Sequence, residues 1–346
     1  MNIVLCLSHS VEEFDQVRLL SGLGYDVFSI GGYIDPAHPH DDKRPALPDA
    51  PYHPDLQAAV DALGTADNLG AAQARIPDDV LDWADTIIYH HYLDARLWPQ
   101  WDRVRGKRVI WRTVGQSVRD NEERAAPFRS DGLQIVRYSP KERNIPAYAG
   151  DDALIRFYKD PAEYSGWTGK LPVVTNVTQH LYQRSLGDNG APRGRQEWTN
   201  WSFWETATTG LERLPAGPGS EVIGGPGSLS PARMLQLLQA ARAYLYTGTQ
   251  PASYTLGLIE AMMTGIPVVS IGPAHFDIFE GHDTFEGHEL AGLWADDPSE
   301  ARLYLRELLA DYDYATYIGI AGRERAIELF GRETIGAQWR AFLGAP

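Results

Sequence analysis

One cysteine in 346 residues leaves no partner for an intramolecular disulfide, and Cys6 lies in the apolar run "IVLCL", where a thiol is buried core and not a nucleophile or metal ligand. No apolar run reaches the roughly 18 residues that a membrane-spanning helix needs, and no basic-then-apolar leader opens the chain. Those two absences fit a cytoplasmic protein without a membrane span. Positive charge is also short: 31 Lys and Arg stand against 46 Asp and Glu, a net −15, which disfavours indiscriminate binding to nucleic acid or anionic lipid. What remains is a soluble globular composition, and its length favours two domains over one core.

The chain opens with a strand, "NIVLCL", a loop and helix, "SHSVEEFDQVRLLSGLG", with capping-box spacing between Ser10 and Glu13, and a second strand, "YDVFSIG". This β-α-β opening predicts a parallel sheet covered by helices. Gly22 and Gly24 close the helix, whereas a dinucleotide fingerprint needs glycines that open one. Residues 34–55 are too rich in proline for regular structure, and their His38, His40 and His53 have no spacing that pairs metal ligands. Further strands are predicted at "TIIYHH", "KRVIWRTV", "LQIVRYS" and "ALIRFYK", with helices near 77–84 and 117–128. The turn-rich "DPAEYSGWTGK" then marks a hinge, so the first domain is expected over 1–165. A second α/β pattern begins at "LPVVTNV" and runs to about 325. Within it, Ser230 caps a helix with Pro231 in the first position and Met234, Leu235, Leu238 and Ala241 on one face. Residues 326–346 form a last helix.

The most informative stretch is "QPASYTLGLIEAMMTGIPVVSIG", residues 250–272, in which Glu260 is the one acid. Lying between the strands "AYLYT" and "IPVVSI", the run "SYTLGLIEAMMTG" reads as a short helix with Ser253 as N-cap, Gly265 as terminator and Leu256, Ile259 and Met263 buried. A helix N-terminus at the carboxyl edge of a parallel sheet offers unpaired N–H groups and a positive dipole end, which suit a diphosphate; Thr255 and Leu256 present them. Glu260, further in, has the two acceptor oxygens that adjacent ribose hydroxyls require. A solvated helix residue is the plain alternative.

These residues resemble the signature of retaining GT-B glycosyltransferases of the family 4 type, in which a Glu-Ala-Met helix is followed by "G-x-P-V-V". The resemblance implies two Rossmann-like parallel-sheet domains facing a central cleft, with the C-terminal helix crossing back to the first. It implies a nucleoside diphosphate sugar of UDP or GDP type as co-substrate, no other cofactor, no metal, and transfer to a hydroxylated acceptor with retention. In such enzymes two glutamates eight positions apart bracket the helix start, the second on the ribose and the first on the donor sugar. Glu260 matches the second, while Ala252 stands at the first. An Arg and a Lys of the family, reaching the donor phosphates, correspond to Gln179 and Arg184. Ser253, Tyr254, Thr255 and Leu256 complete the implied donor site.

His90 and His91 end the strand "TIIYHH". The family often has a histidine near here that approaches the donor sugar, and His91, following the strand tip, is the catalytic candidate, against the ordinary reading of either as a satisfied core or surface histidine. Arg112 and Gln116 are assigned to the acceptor side. From Arg96 to Arg143 there are 12 Lys and Arg against 6 Asp and Glu. If that excess forms a surface face, a phosphorylated or polyanionic acceptor is favoured, DNA with a hydroxylated base among them; a solvated strand flank is the default. The aromatic cluster "EWTNWSFWE" is read as core before sugar-stacking platform. Two rivals stand beside the transferase: a catalytically silent nucleotide-sugar-binding protein, motivated by Ala252, and an epimerase, for which no acid-base pair is evident.

Overall fold

The computed structural model describes residues 1–6, 10–30, 53–62, 76–90, 100–115, 117–178, 181, 198–288 and 290–346. The chain divides into two compact units, one made of Met1–Tyr158 with Arg332–Pro346 and the other of Lys159–Gly331. The first crossing precedes the turn-rich segment expected as the hinge, because Tyr158 still packs in the first unit's core.

In the first unit, β1 (Asn2–Cys6), β2 (Asp26–Ser29), β3 (Thr86–His90), β4 (Arg108–Arg112), β5 (Gln134–Arg137) and β6 (Ala153–Leu154) form a parallel sheet in the order β2-β1-β3-β4-β5-β6. The strand centres are apolar because both faces are covered, and the polar residues stand at the strand ends. Alternate residues feed two separate cores. Val4, Cys6, Ile87, Tyr89, Val109 and Trp111 meet α2 (Pro54–Asp61), α3 (Asp78–Trp83), α4 (Trp101–Val104) and α5 (Arg119–Arg129) on one side. On the other, Ile3, Leu5, Val27, Ile88 and Ile110 meet α1 (Ser10–Gly22) and the last helix. Cys6 is buried as expected. Helix α1 ends at Gly22, with Gly24 at φ 99°, so these glycines terminate the helix. His53 pairs with Asp26 at 2.8 Å and packs edge-on to Phe28; His38 and His40 lie outside the described residues.

The second unit carries β7 (Leu171–Val177), β8 (Arg213–Ala216), β9 (Ala241–Tyr246), β10 (Val268–Ile271) and β11 (Leu293–Ala295), parallel and ordered β11-β10-β9-β7-β8. Strands β8 and β11 carry no sequence pattern of their own: they are four and three residues long, and β8 contains Pro215. Among the helices, α6 (Trp201–Thr208) buries Trp201, Phe203 and Trp204, so most of the aromatic cluster is core, while Trp198 is exposed. Helix α7 (Pro231–Ala240) is capped by the Ser230 hydroxyl, which accepts from the Arg233 N–H at 3.4 Å. Its buried pair is Leu237 and Leu238; Ala241, expected on that helical face, already belongs to β9. There follow α8 (Leu256–Thr264), α9 (Pro298–Ala310) and α10 (Tyr312–Phe330).

The last helix, α11 (Arg332–Leu343), returns to the first unit, where Ile335, Trp339 and Leu343 pack with Leu19, Leu20 and Leu23. Arg108 caps its C-terminus, donating to the Phe342 and Leu343 carbonyls at 2.8 and 3.0 Å. Among the described residues, no helix is long and apolar enough to cross a membrane.

Candidate nucleotide site

Helix α8 follows β9 by the turn at 247–255, so its N-terminus stands at the carboxyl edge of the second sheet, where open α/β sheets bind ligands. Its N-cap is Thr255, in extended backbone at φ −120° and ψ 158°, and not Ser253 as the sequence suggested. Ser253 is fully buried, its carbonyl accepting from the Glu280 N–H at 3.0 Å, and Tyr254 is buried against the Phe330 ring. Both side chains are therefore packed inside the unit, which removes them from the ligand-facing set. The Thr255 N–H is also committed, donating to the Tyr246 hydroxyl at 3.0 Å. The donors that the helix geometry leaves without an intrahelical carbonyl begin at Leu256 and Gly257, both half-buried.

Gly257 is needed for close approach. A Cβ there would lie 3.1 Å from the Val177 carbonyl and 3.3 Å from the Tyr244 hydroxyl, so the helix start sits directly on the end of β7. At the other end Gly265 adopts φ 91° and closes the helix. Between them α8 is apolar nearly all round, with Leu258, Ile259, Ala261, Met262 and Met263 buried, so it is a core helix and its start is held by packing on several sides.

Glu260 is buried too, and this is the feature that the sequence did not reveal. Its Oε1 accepts from the Lys159 ammonium at 2.6 Å and from the Tyr164 hydroxyl at 3.1 Å. A carboxylate and an ammonium survive in such an interior only as a pair with further hydrogen bonds. The plain reading of Glu260 as a solvated surface residue is thereby excluded. Lys159 ended a predicted strand, and nothing in "RFYK" distinguishes a buried lysine from an exposed one. The segment carrying both partners is held by α10: Arg323 donates to the Pro161 carbonyl at 2.9 Å and to the Tyr164 carbonyl.

Behind the helix start lie two buried tyrosines. The Tyr244 hydroxyl accepts from the Val177 N–H at 3.2 Å, and Tyr246 stacks on Phe279. Burial raises both phenols far above their ordinary value, so both remain neutral donor-acceptors. Phe279 in turn stacks on His282. Among the described residues one grouping has the donor atoms for a cation: His282, Asp283 and Glu286, whose ligand atoms lie within 4.8 Å of one another. Of these three, Glu286 is exposed.

Of the remaining candidates, His91, Gln116, Gln179 and Arg184 lie outside the described residues. His90 is a buried residue at the end of β3. Arg112, assigned to the acceptor side, is instead fully buried: its guanidinium donates to the Ile155 carbonyl and to the Arg156 carbonyl at 3.0 Å, and lies over the Phe157 ring. Part of the basic excess of residues 96–143 is met within the unit, while Arg105, Arg119 and Arg124 are exposed. Arg137 is buried and bidentate to Glu122 at 2.6 and 2.7 Å, and Arg103, Arg129 and Arg143 pair with Asp78, Asp152 and Asp151. These three aspartates lie outside the window in which the charges were counted.

No protein-family model and no curated protein matches the sequence. Solved structures do. Over the whole of both chains, the protein is similar to Anabaena HepE in complex with UDP-glucose, at 13% identity and a TM-score of 0.65. It is similar to a glycosyltransferase from Rickettsia africae at 12% identity and a TM-score of 0.62, covering 100% of this chain and 99% of that one. A third match is an alpha-glucosyltransferase in complex with UDP and a 13-mer DNA containing an HMU base, at 9% identity, a TM-score of 0.60 and 99% of each chain. With two parallel α/β sheets, a C-terminal helix returned to the first unit and these neighbours, the chain has the GT-B glycosyltransferase fold.

Proposed function

We propose that the protein is a glycosyltransferase that moves a sugar from a nucleoside diphosphate donor of UDP or GDP type to a hydroxylated acceptor, with retention. The observation that carries this reading is Glu260, a buried carboxylate one turn inside a helix that starts at the carboxyl edge of the second sheet. The fold neighbours support it: HepE is seen with UDP-glucose, and a further neighbour with UDP and a modified DNA.

In this reading the ribose hydroxyls donate to Glu260, and the diphosphate lies at the N–H groups of Leu256 and Gly257, where the helix dipole favours negative charge. Arg184 supplies the phosphate cation and Gln179 a further hydrogen bond, so the donor charge is met by protein groups and no metal is assigned. His91 is the catalytic residue that the family resemblance implies. Transfer breaks the bond from the anomeric carbon to the diphosphate and forms one to the acceptor oxygen on the same face. The acceptor proton passes to the departing diphosphate. The protein then acts by positioning and electrostatic stabilisation. DNA with a hydroxylated base belongs among the acceptors to assay, and affinity that falls steeply with added salt supports it. Ala252, in place of the family's first glutamate, favours a second reading, nucleotide-sugar binding without transfer; donor binding with neither transfer nor donor hydrolysis selects it.

The test is calorimetric titration with UDP and GDP of the wild type, Glu260→Gln and Leu256→Pro. Glu260→Gln weakens binding by about 1–3 kcal/mol, the scale of charge-assisted hydrogen bonds. Proline fits the first helical position, and extended Thr255 before it is what a proline requires, so Leu256→Pro removes one N–H while leaving the helix in place. Unchanged affinity in both folded variants refutes the placement.

A further inference from the structure

Lys159 is completely buried, while the Glu260 side chain that it meets keeps 7% of its surface exposed. Solvent therefore reaches this ion pair only from the carboxylate side. The Tyr164 hydroxyl shares the same oxygen, Oε1, and the backbone of Lys159 is fixed as well, its N–H donating to the Phe330 carbonyl at 3.1 Å. Arg323 holds the intervening chain through the Pro161 and Tyr164 carbonyls. Two donors on one oxygen, from a strapped segment remote in sequence, fix the rotation of the carboxylate about its long side chain.

We infer that Lys159 and Tyr164 are positioning residues for the donor, holding the Glu260 carboxylate in the orientation that accepts ribose hydroxyls and so selecting ribonucleoside over 2′-deoxyribonucleoside diphosphates. This rests on the donor-site reading given above. An ion pair that merely braces the fold predicts something different. Its loss lowers stability and weakens every nucleotide alike, whereas loss of a positioning pair lowers discrimination at the ribose and leaves the diphosphate contacts at Leu256 and Gly257 in place.

The experiment is calorimetric titration of the full chain with UDP, GDP and their 2′-deoxy forms, for the wild type, Lys159→Met and Tyr164→Phe, with thermal melting to show that each is folded. The wild type prefers the ribonucleotide by about tenfold, the worth of one hydrogen bond to a charged group. Lys159→Met brings that ratio close to one, Tyr164→Phe brings it part of the way, and affinity for the deoxy form is nearly unchanged in both. Tyr164→Phe removes a single oxygen, so it carries the test if Lys159→Met does not fold. A discriminating wild type whose folded variants keep the same ratio overturns the positioning role and leaves the donor site standing. A wild type that binds none of the four overturns both.

Discussion

Glu142 offers a stability prediction whose size follows from its surroundings. It lies just after β5 in the first unit, in the turn at Pro140–Asn144, and is buried. Its Oε2 accepts from the Thr113 hydroxyl at 2.8 Å and the Tyr138 N–H at 3.0 Å, and Arg137 Nη1 lies 3.7 Å from its Oε1. Burial raises the carboxyl from its ordinary 4.5 to about 7, because the pull of Arg137, already bidentate to Glu122, and of these hydrogen bonds only partly offsets desolvation. A group raised on folding contributes stability that is complete below its unfolded value and is lost as pH rises through its folded value. Here the loss falls between about pH 4.5 and pH 7. From pH 5 to pH 8 it comes to about 2–3 kcal/mol. Glu142→Gln removes the titration while keeping an amide oxygen for the Thr113 hydroxyl. Denaturant unfolding of the first unit at a series of pH values, compared between wild type and variant, reads the difference directly, since other titrations are common to both. The wild-type curve should fall by about 2–3 kcal/mol more than the variant's over that range. Parallel curves refute the reasoning.

Two further substitutions test how the candidate site is built. A Cβ on Gly319 would lie 2.1 Å from the Gly265 carbonyl, a backbone atom at the end of α8 that cannot rotate aside; Gly319→Ala should destabilise the second unit by about 1–3 kcal/mol, read as a lower melting temperature. Tyr246→Phe deletes the oxygen that accepts the Thr255 N–H, and should cost about 1–2 kcal/mol with a parallel loss of nucleotide affinity. A variant that melts with the wild type shows that water replaces the phenol at the helix start.

The sequence by itself determined the layers and the motif. Short runs rich in β-branched residues, such as "TIIYH" and "VVTNV", read as strands of a covered sheet, and a helical run closed by glycine at 265 fixes where α8 ends. The aromatic cluster was legible as core because clustered aromatic rings are more often buried together than presented as a stacking platform. What the tertiary structure alone decided is how charge is spent. Arg112 and Arg137 look like surface cations in a one-dimensional count, yet the first is taken up by carbonyls some forty residues away and the second by Glu122. Ser253 has the residue type of an N-cap, but the turn at 247–255 buries it and passes the position to Thr255. Glu260 was singled out by its isolation among apolar neighbours, whereas its ammonium partner comes from Lys159, about a hundred residues earlier. Apolar periodicity is local, because each residue meets the core through its own strand or helix. The pairing of charges is not: a buried ion satisfies its partner wherever the fold brings that partner, and no spacing in the sequence records it.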